Sequence, residues 1–193
     1  MGLIMDRNLK SYVKIYDGWL DSKKCKQTIK ELESADWQQH KFYNAATQTY
    51  GTQSGNRELD VSWQENISTK PYIMQRIWDA YFQYTKDLNF DWFGGWQGYS
   101  NVRFNRYNED RLMALHCDHI YTLFDGERKG IPTMTFLAVL NDEYEGGEFI
   151  LFDDEEISFK EGTAVVFPSN FLYPHTVKPV KKGVRYSCVS WAW

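Results

Sequence analysis

The spacing of apolar side chains predicts two helices in the first half of the chain. Apolar residues recur at positions 25, 29 and 32, behind the potential N-caps Asp21 and Ser22, and this pattern predicts an amphipathic helix that ends near Trp37. A longer apolar stripe, with a proline that the first helical turn tolerates, predicts a second helix from Pro71 to Leu88.

The rest of the chain has the pattern of strands and loops. Tyr12 to Tyr16 alternates like a strand, and the polar, glycine-containing stretch from Lys41 to Arg57 predicts a strand followed by a mobile loop. After residue 95 the helical period disappears, and strand-like runs cover residues 98–107, 114–118, 133–141, 148–151, 163–167 and 185–191. Helices followed by many short strands predict a β sandwich or barrel that is backed by helices.

Composition and charge narrow the possible functions. The 193 residues include 8 Trp, 13 Tyr and 12 Phe, which favours a β-rich domain with an aromatic core. A formal net charge of -4 argues against a dedicated nucleic-acid-binding surface. Three widely spaced cysteines, no secretory pattern and no apolar run of about 20 residues predict a cytoplasmic protein with reduced thiols and no membrane segment.

The most informative polar pair is His116 with Asp118. Side chains two residues apart leave an extended strand on the same face, so the imidazole and the carboxylate can converge on one point. Such pairs are also common on exposed loops, and a metal site needs a third ligand. His119 is adjacent to the pair and His40 lies far upstream, whereas His175 begins another strand-like run and can reach across a barrel. Two histidines and one carboxylate on facing strands form the triad that leaves open positions on Fe(II).

These residues and their surroundings resemble a known family. His116-x-Asp118, a distant His175, and then Arg185 and Ser187 are similar to the 2-oxoglutarate- and Fe(II)-dependent dioxygenases, most closely to their prolyl 4-hydroxylase-like branch. The resemblance covers residues 97–193 and includes the segments Arg106-Tyr107, Gly146-Gly147-Glu148-Phe149, Gly162 to Ser169, and His175 to Ser187.

The resemblance implies a fold and a domain organisation. The fold is mainly β with supporting N-terminal helices: a double-stranded β-helix, which is a jelly-roll or cupin-like barrel. We expect residues 1–193 to form a single Fe(II)/2-oxoglutarate dioxygenase domain. In this division, residues 1–96 supply helical support and a substrate loop, and residues 97–193 form the catalytic double-stranded β-helix.

The resemblance also implies the cofactors and the residues that bind the metal. His116, Asp118 and His175 hold Fe(II), 2-oxoglutarate takes two coordination positions and O2 takes the third, and ascorbate is a candidate reductant. An α-keto acid chelates Fe(II) through its carboxylate and keto oxygens, and this leaves its distal carboxylate in need of a cation.

Arg185 and Ser187 are the candidates for binding that distal carboxylate, because they lie two residues apart on one strand face. Tyr107 is a candidate third donor, since Val139 stands where some relatives carry a tyrosine that contacts 2-oxoglutarate. Each of these residues also has a simpler interpretation. Arg185 can form a surface ion pair, and Ser187 can be a small inward-facing residue. Tyr107 can be a core ring whose hydroxyl has another partner.

Strand parity extends the candidate site beyond the cofactors. If Tyr107 faces the pocket, Asn105 and Arg103 face it as well, and both become candidate substrate contacts. Cys117 is predicted to face away into the core. His119 is predicted to be a supporting or exposed residue rather than a ligand.

Together these features predict an enzyme that hydroxylates a substrate C–H bond and releases succinate and CO2. The resemblance favours a prolyl residue in a peptide or protein. A free amino acid, another small metabolite or a nucleobase are alternatives, and so is a non-catalytic cupin-like metal-binding module, although such a module has no use for a carboxylate clamp at Arg185. Residues 44–57 and 121–131 are candidate lids, and residues 191–193 can pack against the barrel or another subunit.

Overall fold

The computed structural model describes residues 6–44, 46–118 and 132–193. These ranges contain a short 3-10 helix (Leu9–Tyr12) and the helices α1 (Ser22–Leu32) and α2 (Lys70–Leu88). The strands are β1 (Lys14–Tyr16), β2 (Gln38–Gln39), β3 (Phe42–Asn44), β4 (Thr49–Gly51), β5 (Asp60–Ser62), β6 (Arg103–Tyr107), β7 (Met113–His116), β8 (Met134–Val139), β9 (Glu145–Gly146), β10 (Phe149–Leu151), β11 (Glu155–Ile157), β12 (Ala164–Pro168), β13 (His175–Val177), β14 (Val180–Lys182) and β15 (Arg185–Ala192).

Both helices follow the apolar periodicity, but α1 is shorter than predicted. It begins where the Asp21 carboxylate accepts a hydrogen bond of 3.1 Å from the Lys24 amide. It ends at Leu32 rather than near Trp37, and the Trp37 indole instead donates to the Leu32 carbonyl over 3.1 Å. The start of α2 lies within one residue of the predicted start, and its end is the predicted residue.

Two antiparallel sheets form the barrel. The larger sheet has the strand order β1-β12-β8-β15-β6-β5-β2, and the smaller has the order β11-β10-β13-β7. Apolar residues of α2, such as Ile73, Ile77 and Tyr81, are fully buried against the larger sheet. A second apolar cluster, which includes Phe149 and Phe167, fills the space between the two sheets. The architecture confirms the predicted mainly β, jelly-roll fold with helices outside it.

The first half of the chain contributes strands as well as helices to this architecture. β1 pairs with β12 at one edge of the larger sheet, and β5 pairs with β6 towards the other. The stretch predicted as a strand and a loop contains the paired hairpin β3–β4, followed by a turn. The fully buried Glu58 carboxylate holds this turn, because its Oε1 accepts bonds of 2.6 Å from the amides of Gln53 and Ser54.

The C-terminal residues pack against their own chain. Trp191 and Ala192 are buried at the end of β15, and the Trp193 amide donates to the Gly98 carbonyl over 3.1 Å. This segment therefore packs against the barrel of its own chain, which is one of the two placements that the sequence predicted.

All three cysteines lie within the described ranges and are free thiols, of which Cys25 and Cys188 are buried. Neither described α-helix combines the length and the apolar character that a bilayer crossing requires. The cytoplasmic location stays a prediction.

Candidate active site

His116, Asp118 and His175 come together as one cluster. The register of β7 and β13 places His175 directly opposite His116, and their ring centroids are 4.3 Å apart. Asp118 lies two residues beyond the end of β7, and its Oδ1 is 3.5 Å from His116 Nε2 and 3.7 Å from His175 Nε2. The three ligand atoms all lie within 4.8 Å of one another, which suits a single metal ion.

The second ring nitrogen of each histidine fixes the orientation of the ring. His116 Nδ1 is 2.8 Å from the Ala114 carbonyl oxygen, and His175 Nδ1 is 3.1 Å from the Tyr173 carbonyl oxygen. A carbonyl oxygen only accepts hydrogen bonds, so we assign the proton of each ring to Nδ1. Both Nε2 lone pairs are then available to a metal ion beside Asp118.

Hydroxyl groups orient the carboxylate of Asp118. Thr135 Oγ1 donates to Asp118 Oδ2 over 2.7 Å and lies 2.5 Å from Ser169 Oγ. Burial raises the pKa of Asp118, but the histidines and the Thr135 hydroxyl outweigh burial and hold the pKa well below its ordinary value. Burial, and then the neighbouring His116, lowers the pKa of His175 to about 4. Neutral His175 and ionised Asp118 are the protonation states that metal binding requires.

The donor set and its surroundings fit Fe(II). Two imidazoles and one carboxylate are the ligands that hold non-haem Fe(II) while leaving open coordination positions. The rings of Phe149 and Phe167 pack against His175 with centroid distances of 5.4 and 5.2 Å, and Phe42 packs against His116 at 5.7 Å. These aromatic rings surround the two histidines with apolar side chains.

Arg185 is a buried cation without an anionic partner among the described residues. It is 0% exposed, and its guanidinium lies 4.9 Å from the centre of the Tyr107 ring. Its Nη1 donates to Ser187 Oγ over 3.2 Å, but its buried Nε and Nη2 have no hydrogen-bond partner in the described part of the chain. Burying an unpaired charge is costly, so these surroundings favour an anion that accepts several hydrogen bonds. A distal carboxylate of 2-oxoglutarate has that chemistry.

One cavity contains the triad and the predicted substrate residues. Its walls include the three metal-ligand candidates and the inward-facing residues of β6, namely Arg103, Asn105 and Tyr107. Along the pairing of β6 with β15, Tyr107 lies opposite Arg185 and Asn105 lies opposite Ser187. Arg185 and Ser187 are therefore adjacent to the wall that Tyr107 and Asn105 form.

Four further sequence expectations have different outcomes. Val139 is fully buried opposite Ser187, and its side chain offers no hydroxyl to a cofactor. Cys117 is half-buried, so its prediction as a core residue is wrong, because β7 ends at His116 and the chain leaves the sheet. His119 and the candidate lid 121–131 lie outside the described residues.

Sequence reasoning missed Thr135, which orients Asp118. A signal was present, because Thr135 is the one polar residue in the apolar strand β8. A lone hydroxyl on a buried strand usually has a hydrogen-bond partner. The identity of that partner depends on a residue elsewhere in the chain, and the strand pattern does not contain it.

The chain is similar to known hydroxylases over its second half. Residues 102–193 match the model of the 2OG-Fe(II) oxygenase superfamily. A PKHD-type hydroxylase of Stenotrophomonas maltophilia is 37% identical over 99 residues, which is 48% of this chain and 43% of that protein. A PKHD-type hydroxylase of Alteromonas mediterranea is 34% identical over 95 residues, or 46% of this chain and 41% of that protein. The matches span less than half the length of these curated relatives.

Solved structures share the fold over nearly the whole chain. A prolyl hydroxylase of Trichoplax adhaerens, in complex with a hypoxia inducible factor peptide fragment, has a TM-score of 0.68 and 18% identity, and covers 95% of this chain and 84% of that chain. A prolyl-4-hydroxylase of Pseudomonas putida has a TM-score of 0.63 and 18% identity, with 93% and 91% coverage. Residues 102–193 are thus similar to the 2OG-Fe(II) oxygenase superfamily, and the described chain shares the fold of solved prolyl hydroxylases.

Proposed function

We propose that this chain is an Fe(II)- and 2-oxoglutarate-dependent dioxygenase that hydroxylates a prolyl residue in a peptide or protein, with release of succinate and CO2. One observation carries the proposal: the His116, Asp118 and His175 cluster lies in a cavity whose wall adjoins the unpaired, buried guanidinium of Arg185. A structural metal site needs the triad but has no use for that cation. The prolyl hydroxylases among the structural neighbours support the choice of prolyl substrate.

The triad residues hold and orient the metal in this proposal. Nε2 of His116, Nε2 of His175 and Oδ1 of Asp118 are the donor atoms, and Thr135 keeps Asp118 Oδ2 engaged in a hydrogen bond. With Oδ2 engaged in this way, Asp118 would offer Oδ1 to the metal, and this donor set would leave the metal able to take part in oxygenase chemistry.

Arg185 and Ser187 bind the distal carboxylate of 2-oxoglutarate in this proposal. Nε and Nη2 of Arg185 provide the unmet donors, and Tyr107 adds a hydroxyl from the facing strand. Val139 has no hydroxyl with which to share this task, so Tyr107 is the tyrosine that we assign to it.

When bound together, Fe(II) and 2-oxoglutarate activate O2, so that one oxygen atom enters the substrate C–H bond and the other enters succinate as CO2 leaves. The chain contributes placement and a dry wall, and no side chain acts as a nucleophile. Ascorbate is the reductant that we propose for restoring Fe(II).

Anaerobic spectroscopy tests the proposal. Adding Fe(II) and 2-oxoglutarate to the protein should produce a visible metal-to-ligand charge-transfer band, because chelation places the keto group on the metal. His116→Ala should abolish the band, whereas His40→Gln should retain it, since His40 lies outside the triad. A wild-type protein that shows no band with both additions would contradict the proposed function.

A further inference from the structure

Arg103 carries a charge that no described carboxylate neutralises. It faces the cavity from β6 and is half-buried. None of the ion pairs among the described residues includes it. The one hydrogen bond of its side chain in the described structure runs from Nε to Asn105 Oδ1 over 3.0 Å, and that acceptor is a neutral amide. The two terminal nitrogens of the guanidinium therefore donate to no residue in the described part of the chain.

Packing on Trp191 holds the guanidinium of Arg103 in the cavity that also contains the metal-ligand residues. It lies 4.8 Å from the centre of the Trp191 ring, and Trp191 is only 3% exposed. Trp191 pairs with Thr135, whose hydroxyl binds Asp118. Tyr107, opposite Arg185, is four residues further along β6, roughly 13 Å at the rise of an antiparallel strand. The two arginines thus mark different ends of one strand pair.

The neighbouring titratable groups do not supply the missing negative charge. Burial raises the pKa of the Tyr107 hydroxyl, so it is neutral. Burial, and then the charge of Arg103, lowers the pKa of His40 to about 3, so this ring is also neutral. Burial lowers the pKa of Arg103, and Tyr107 and Asp118 only partly oppose this shift; the proposed function assigns the Asp118 carboxylate to the metal.

Charge balance in the loaded site isolates Arg103 further. Ferrous iron brings two positive charges and Arg185 brings one, while 2-oxoglutarate brings two negative charges and Asp118 brings one. These four groups cancel. Among the described residues that line the cavity, the guanidinium of Arg103 is then the charge without a counter-charge. The apolar ring of Trp191 beneath it lowers the local dielectric constant, which strengthens the attraction of the guanidinium for an anion.

We propose that Arg103 binds a carboxylate of the substrate, so that the enzyme selects substrates with an acidic group close to the C–H bond that is hydroxylated. This inference rests on the proposed function and narrows its substrate class. A carboxylate of this kind is present in a peptide with an acidic side chain beside proline, and in a free amino acid as its α-carboxylate. Asn105 orients the guanidinium, and Trp191 supports it.

A purely structural role for Arg103 makes a different prediction. If the side chain only packs on Trp191 and bonds Asn105, its removal changes stability but leaves the affinities for acidic and amide ligands in the same ratio. The ratio of two affinities within one protein variant therefore separates the two roles, because a general loss of folding affects both ligands equally.

The experiment measures binding to protein loaded with Mn(II) in place of Fe(II) and with saturating 2-oxoglutarate, so that no turnover occurs. One arm compares acetyl-Ala-Glu-Pro-Glu-Ala-amide with its Gln-containing twin, and the other compares L-proline with L-prolinamide, both by isothermal titration. We expect the carboxylate member of one arm to bind at least ~10-fold more tightly, since charge-assisted hydrogen bonds are about twice as strong as neutral ones. The arm that discriminates identifies the source of the carboxylate.

Substitutions locate the effect at Arg103. Arg103→Met should reduce the affinity ratio to about one, and Arg103→Lys should retain part of it because the charge remains. Arg106→Met is the matched control: it removes a cation from the same strand, but Arg106 pairs with Asp60 outside the cavity, so the ratio should not change. Equal or absent binding of all four probes to the wild type, or a ratio that survives in Arg103→Met, would overturn the inference. If the charge-transfer band still forms in that case, the proposed function stands and only the carboxylate preference fails.

Discussion

Arg185 and Arg103 project from paired strands on the same side of one sheet, yet their surroundings differ. Arg185 is completely buried, with two donor nitrogens that bond to no described residue, and its partner strand presents the Tyr107 ring. Arg103 is half-buried and rests on Trp191, and among the described residues its side chain bonds the Asn105 amide alone. The first environment suits a carboxylate that accepts several hydrogen bonds out of contact with water, and the second suits a carboxylate that binds nearer to solvent.

The physical reason for this contrast is desolvation. A charge taken fully out of water is stabilised best by a counter-charge that accepts several hydrogen bonds, which the distal carboxylate of 2-oxoglutarate provides when it is bound. A half-buried guanidinium keeps part of its hydration, so it depends less on a bound anion. The two ends of the β6–β15 pair thus separate the cofactor from the substrate in our proposal.

The largest expected effect comes from removing the fully buried charge of Arg185. Arg185→Met should weaken 2-oxoglutarate binding by at least ~100-fold, because charge-assisted bonds in a buried site are lost. The same variant, without 2-oxoglutarate, should unfold at the wild-type temperature or above it, since a buried unpaired charge is replaced by an apolar chain. Titration of the metal-loaded protein and thermal denaturation measure these effects. Unchanged 2-oxoglutarate affinity would assign Arg185 a structural role, and Arg106→Met serves as the control.

An intermediate effect is expected at Thr135, whose hydroxyl supports the metal-ligand candidate Asp118. Thr135→Val removes the hydrogen bond to Asp118 Oδ2 with little change of volume, and it should weaken Mn(II) binding about 10-fold. Thr133→Val is the matched control, because the Thr133 hydroxyl bonds the Ala192 carbonyl instead. Equal Mn(II) affinities of the two variants, measured by electron paramagnetic resonance, would show that Thr135 does not position Asp118.

The smallest effect is expected at the support of Arg103. Trp191→Leu removes the ring beneath the guanidinium and should weaken binding of the discriminating carboxylate probe about threefold, the size of a modest cation–π contribution. Its 2-oxoglutarate affinity should stay at the wild-type value, because Trp191 lies at the other end of β15 from Arg185. A loss of both affinities would mean that the two ends are not independent.

The sequence by itself determined the local parts of this protein. The apolar period placed α2 to within a residue, and strand parity put Arg103, Asn105 and Tyr107 on one face, where the structure has them lining the cavity. Side-chain direction within an element follows from backbone geometry alone, so it can be inferred without knowing the partner strands. The motif around His116 and Asp118 likewise needed only neighbouring residues.

The tertiary structure alone decided which of these faces meet. The register that sets His175 opposite His116, the hydroxyl of Thr135 on Asp118, and the pairing of Arg185 with Tyr107 all join residues distant in the chain. The turn after the hairpin β3–β4 also depends on tertiary structure. The polar sequence of this stretch predicts a loop, and the pattern does not show that the buried Glu58 carboxylate binds the turn. Periodicity specifies a face, whereas strand register depends on long-range hydrogen bonds and packing that no local pattern records.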